Sequence, residues 1–159
     1  MSVASVSSYI NDISNRVYGI GDSIKLNIVP SGTPIASNTI YTFLPLTASI
    51  PKGRWILSGT IGCTRTSGAD VIETIDVVLY KNGITPLAEI YSALTAGNSF
   101  TANQTIPAII FISDGTDKIT GQVNCLVSGS GAGTWNIDDD DAGAECFLEM
   151  IRISNEGYI

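Results

Sequence analysis

The chain has 159 residues, a net charge of −7, a pI near 4.3, and only 14% charged residues, none of them histidine. An acidic chain with eight Lys and Arg lacks the clustered cations that phosphate contacts need, which argues against a nucleic-acid partner. The missing histidine removes the commonest general base and the commonest metal ligand.

One domain is expected at this length, and burial of roughly 68–70% of the unfolded surface supports a core without disulfide or metal. Cys63, Cys125 and Cys146 are odd in number, lack metal-site spacing and sit in apolar runs, so buried free thiols are expected. The N-terminus lacks a basic segment followed by an apolar one, and no run of about 18 apolar residues occurs. These features predict a cytoplasmically made chain with no membrane partner.

Residues 1–20 differ in pattern from the rest. Val3, Val6, Ile10, Ile13 and Val17 are spaced 3, 4, 3, 4, an a/d heptad whose β-branched residues favour trimers or tetramers. An extended arm fits the same residues. Either form makes 1–20 an arm contacting the assembly and 21–159 the folded domain, with a break at Gly19–Gly21.

From Ser23 onward the period is two. Ser23 to Val29 and Thr39 to Leu46 read as strands separated by the loop Pro30-Ser31-Gly32-Thr33-Pro34. Pro51 to Gly53 is a turn. The long run after it puts Trp55, Leu57, Gly59, Ile61 and Cys63 on one face. Ile56, Ser58, Thr60, Gly62 and Thr64 take the other. Val71 to Lys81 alternates in the same way, and Asn82-Gly83 is a hairpin signal. Leu87 to Tyr91 is a short strand, and Ala96-Gly97-Asn98 a turn.

Phe100 to Ile112 is apolar on both faces in its second half, with Ile106, Ala108, Ile110 and Ile112 opposed to Pro107, Ile109 and Phe111. Lys118 to Val127 points Ile119, Val123, Cys125 and Val127 inward. Trp135 falls in a predicted loop between a Gly/Ser patch and the acidic run Asp138 to Asp141. Ala144 to Ser154, the last strand, again has two apolar faces. A strand apolar on both faces is covered on both sides, and a partner subunit can supply the second cover. Even strand spacing with Gly, Pro and Asn turns predicts an all-β sandwich or barrel.

Several of these segments together resemble the C1q/TNF-like jelly rolls. Ile50-Pro51-Lys52-Gly53-Arg54-Trp55-Ile56-Leu57 resembles their "IPG-x-Y-x-F" strand, with Trp55 in place of the tyrosine. Val77-Val78-Leu79-Tyr80-Lys81-Asn82-Gly83 is similar to "V-x-L-x-K-N-G". Residues 109–119 are similar to the family's apolar strand and "G-D-x-V" turn, and Cys146-Phe147-Leu148 to its closing strand. The polar, leaderless form resembles the versions found in bacteriophage and viral structural proteins. The resemblance implies a ten-strand jelly roll packed as a homotrimer, and Ile109, Phe111, Phe147 and Ile151 are the expected subunit contacts.

No G-x-S-x-G, P-loop or C-x-x-C occurs. Paired carboxylates can hydrolyse glycosides, but Glu73 with Asp76, and Glu145 with Glu149, read as solvated strand positions. The Asp138–Asp141 run offers oxygens to calcium, yet lacks EF-hand spacing and reads as a solvated turn. The expectation is a non-enzyme without cofactor. Its first reading is a trimeric virion structural protein, a capsid decoration or minor capsid protein held to the major capsid protein by its arm. The alternative is a receptor- or glycan-binding fibre head or C1q-like recognition module.

Overall fold

The computed structural model describes residues 20–66, 70–94, 101–129, 133–137 and 146–154. The arm residues Val3, Val6, Ile10, Ile13 and Val17, the Ala96–Asn98 turn and the Asp138–Asp141 run lie outside the described residues.

Ten strands form two antiparallel sheets: β1 (Ser23–Lys25), β2 (Ile35–Ala36), β3 (Tyr41–Leu44), β4 (Gly53–Arg65), β5 (Asp70–Lys81), β6 (Thr85–Ala93), β7 (Thr101–Ser113), β8 (Ile119–Gly129), β9 (Thr134–Ile137) and β10 (Phe147–Ser154). The six-stranded sheet runs β1-β10-β4-β9-β2, with β7 also on β4; the four-stranded sheet runs β3-β8-β5-β6. The long central strand organises the larger sheet. One edge of β4 pairs with β7 from Gly53 to Thr64. Its other edge pairs first with β10, from Arg54 to Thr60, and then with β9, from Cys63 to Arg65.

The alternation of β4 is realised as expected. Trp55, Leu57, Ile61 and Cys63 are fully buried, while Ile56, Ser58 and Thr60 are half-buried on the outer face. Across the sandwich, Ile75, Val77 and Leu79 of β5 and Val123, Cys125 and Val127 of β8 meet them in one apolar cluster. Two glycines are required by close packing. A Cβ on Gly59 would lie 2.1 Å from the Phe147 carbonyl oxygen, because β10 presses against β4 there. A Cβ on Gly121 would lie 2.4 Å from the Phe43 ring that covers it.

Two expectations are corrected. Trp135 is not in a loop: it belongs to β9, is fully buried, and donates its indole N–H to the Ala36 carbonyl at 3.2 Å. Only four residues long, β9 is seated by long-range pairing to Arg65 and Ile35, which leaves little local pattern to read. The second correction concerns β7. Leu57 pairs with Ile109 but Gly59 with Ile106, so Pro107 and Ala108 together oppose Ser58 in a β-bulge. The bulge suits a proline, which has no N–H to give the ladder. It also changes the parity of the strand. Ala102, Gln104 and Ile106 face inward before it, and Phe111 and Ser113 after it.

Candidate functional site

Three of the family-like segments meet at one end of the sandwich. Asn82 and Gly83 take φ of 55° and 74°, the two left-handed residues that a tight hairpin between β5 and β6 needs. The Asn82 side chain then donates to Asp117 Oδ1 at 3.0 Å and accepts from the Lys118 N–H at 2.8 Å. Lys81 Nζ sits 2.8 Å from Asp117 Oδ2 and 5.6 Å from the centre of the Phe111 ring. The Asp117 backbone carbonyl accepts from the Ile50 N–H at 2.7 Å, and buried Ser113 donates to the Ile50 carbonyl at 2.7 Å. Burial of Asp117 opposes its ionisation, but the Lys81 ammonium, the Asp114 N–H and the Asn82 amide outweigh it and hold the carboxyl below its ordinary value. This network fastens turns; its polar groups are occupied by one another.

Beside it, Arg152 is fully buried, stacks 5.6 Å from the Trp55 ring and donates to the Lys52 carbonyl. Gly53, at φ 147°, makes room for it, since a Cβ there would lie 2.9 Å from Arg152 Nε. Burial lowers the pKa of this guanidinium, with the Asp22 charge acting the other way. This end of the fold is a structural clamp.

The outer face of the six-stranded sheet carries several large exposed apolar side chains. Register places Ile151, Ile56 and Ile110 in one row across β10, β4 and β7. The next row on β4 and β7 is Arg54 beside Ile112. Phe147 stands opposite Thr60 at the other end. Phe147 is 52% exposed, Ile110 63%, Ile112 39% and Ile151 38%, so large apolar side chains share one sheet face in contact with water. A polar row, Lys25, Glu149 and Ser58, lies between the isoleucine row and Phe147.

Of the expected contact residues, Phe147 and Ile151 stand on this face. Phe111 does not: it is 1% exposed and belongs to the core, and Ile109 is half-buried against the same core. The bulge at Pro107–Ala108 is the reason, and Ile110 and Ile112 take the outer positions in their stead. Ile56 was legible as outward from the alternation of β4, but only the pairing shows that it completes the row.

Elsewhere, Cys63 and Cys125 are buried, and Cys146 is half-buried with its Sγ bonded to the Gly62 backbone. Burial and contact with Cys125 push the Cys63 thiol well above its ordinary value. Among the described residues no group of three metal-ligating side chains is close enough to hold an ion, and no helix is long and apolar enough to cross a membrane. Glu73 is exposed and lies beside the Ser128 hydroxyl, whereas Asp76 is half-buried on the outer face of the four-stranded sheet.

No family model and no curated protein matches the sequence. Solved structures do match. The chain is similar to Eiger TNF from S. frugiperda, at 8% identity and a TM-score of 0.52, covering 87% of this chain and 96% of that one. Looser overlaps occur with the C-terminal CBM6 of LamC from Zobellia galactanivorans (9% identity, TM-score 0.39, covering 82% and 100%). A chain of infectious bursal disease virus Gx strain is similar at 15% identity and a TM-score of 0.44, covering 83% of this chain and 36% of that one. The first likeness bears on the fold alone, and the other two overlap too loosely to bear on it. With two antiparallel sheets and a fold similar to that of the TNF structure, the domain is an all-β jelly-roll sandwich.

Proposed function

We propose that the protein is a structural subunit that works as a homotrimer, and that the assembly it serves is a virion, where it would be a decoration or minor capsid protein. The observation that carries the self-association is the row Ile151–Ile56–Ile110 with Ile112 in the adjoining row, and Phe147 exposed on the same face beyond one polar row. Contiguous exposed apolar surface with a polar margin marks an interaction site. Each such side chain gains up to about 1.5–3 kcal/mol on full burial, less the share already covered here.

The virion part of the reading is supported by the resemblance of the sequence to phage and viral structural domains and by the N-terminal residues 1–20, whose apolar pattern is distinct from the sandwich. In this reading the arm holds the subunit to a capsid protein. Two experiments test the two parts. Sedimentation equilibrium of the purified chain is expected to give three times the 16.7 kDa chain mass, and a monomer would reject the trimer. Removing residues 1–18 is expected to leave a folded trimer that no longer attaches to particles; full occupancy by the truncated protein would reject the anchor.

A further inference from the structure

The outer face of the four-stranded sheet carries a second site, independent of the trimer reading. Register lays it out in rows across β6, β5 and β8: Tyr91, Asp76 and Asn124, then Glu89, Val78 and Gln122. A cleft of about 230 Å³ is lined by Asp76, Val78, Glu89, Gln122 and Asn124 of these rows together with Ile40 and Tyr80, and Tyr91, paired with Asp76, lies next to that lining. Tyr91 is 63% exposed, so its ring is available as a platform at the end of the first row.

The cleft carries two carboxylates, and no Lys or Arg lines it. Burial and the charge of Glu89 raise the Asp76 carboxyl above its ordinary value. In addition, Asp76 Oδ1 and Asn124 Oδ1 are shielded from water and have no donor. The Asn124 amide nitrogen is already committed, donating to Asn38 Oδ1 at 3.0 Å. Acceptors in this condition cost stability until a donor reaches them. The site is thus rich in acceptors, supplied with one amide that can also donate, Gln122, and flanked by tyrosines.

We infer that this cleft, with Asp76, Glu89, Gln122 and Asn124 on its floor and Tyr91 at its edge, binds a neutral saccharide. Sugar hydroxyls bring the donors that Asp76 and Asn124 lack, reached by a small rotation of either side chain. The apolar C–H face of a sugar ring covers a tyrosine, whose body is apolar and whose tip is polar. The volume is below the roughly 300–1,000 Å³ of pockets for drug-sized ligands, so it suits one ring of a glycan. An anionic sugar is disfavoured, because its carboxylate would face Asp76 and Glu89 with no cation to offset them. A divalent cation is disfavoured too, since the described residues bring no three ligating groups together.

Saturation-transfer NMR of the full chain with methyl glycosides of glucose, galactose, mannose, xylose, fucose and N-acetylglucosamine tests this, with glucuronate, sialic acid and calcium as contrasts. At least one neutral glycoside is expected to bind more tightly than about 10 mM. Tyr91→Ala and Asp76→Ala are each expected to weaken it at least tenfold with the β-sheet circular dichroism unchanged. Ile110→Asp, on the opposite face, is expected to leave sugar binding intact whether or not the trimer survives. No binding by any neutral glycoside, equal binding of glucuronate, a calcium-dependent signal in their place, or retention of binding in both cleft variants would overturn the inference.

Discussion

Gly59 shows how little room the central strand leaves. Its Cβ position is 2.1 Å from the Phe147 carbonyl and 2.9 Å from Leu148, both backbone atoms that cannot swing away. Gly59→Ala is therefore expected to cost at least about 1–3 kcal/mol, seen as a lower urea midpoint at unchanged m-value. Asp117 makes an opposite kind of contribution, through charge. Its carboxyl is held below the ordinary 3.8 by Lys81, the Asp114 N–H and Asn82 against the cost of burial. The folded state thus binds fewer protons than the unfolded one near that pH, and the stabilisation is whole above the unfolded pKa and is lost as pH falls through the folded one. Melting curves between pH 5 and 2 are expected to fall more steeply for the native chain than for Asp117→Asn, which starts lower and has no such carboxyl to protonate. The thiols give a third residue-scale outcome. Cys146 is half-buried and bonded to the Gly62 backbone, while Cys63 and Cys125 are sealed in the core. A thiol reagent is expected to label Cys146 first in the native protein, and the other two only on unfolding.

At the scale of the element, β7 separates what is legible in a sequence from what is not. Alternation holds along β8, along β4 as far as Ile61 and along β10 as far as Arg152, so inward residues there could be named from period alone, including Leu148 and Met150. In β7 the alternation breaks at Pro107–Ala108, and two residues oppose Ser58. Counting by twos through that point exchanges the faces of every later residue, which is why Phe111 reads as outward and Ile110 as inward when the reverse is true. The proline was the available signal, since a proline inside a long strand belongs at an edge or a bulge. Trp135 was missed for a different reason. Its strand is short and pinned from afar, by Arg65 and Ile35, so nothing in its neighbours reveals it. The cleft over β5, β6 and β8 was equally hidden, because Tyr91, Asp76 and Asn124 are brought into one row only by pairing across three strands. The corrected facing of β7 has a measurable consequence. Phe111→Ala is expected to destabilise the fold by about 3–5 kcal/mol as a core truncation. Ile110→Ala, one residue away, is expected to change the stability of an isolated subunit little.

For the whole molecule, the two sheets divide the labour. The inner faces make one apolar core, and the sandwich end carrying Lys81, Asn82 and Asp117 fastens the turns. The outer face of the smaller sheet carries the cleft, and that of the larger sheet carries the exposed isoleucine row. A net charge of −7 keeps such a particle soluble without covering the apolar face. The proposed contact between copies is the outer face of the larger sheet. Ile56→Asp and Ile110→Asp, introduced together, place two carboxylates in the middle of the row while leaving the core untouched. Sedimentation velocity of this variant beside the native chain is the most direct measurement. A native trimer and a variant monomer with native β-sheet circular dichroism are expected; a variant that stays trimeric, or a native chain that sediments as a monomer, would overturn the trimer.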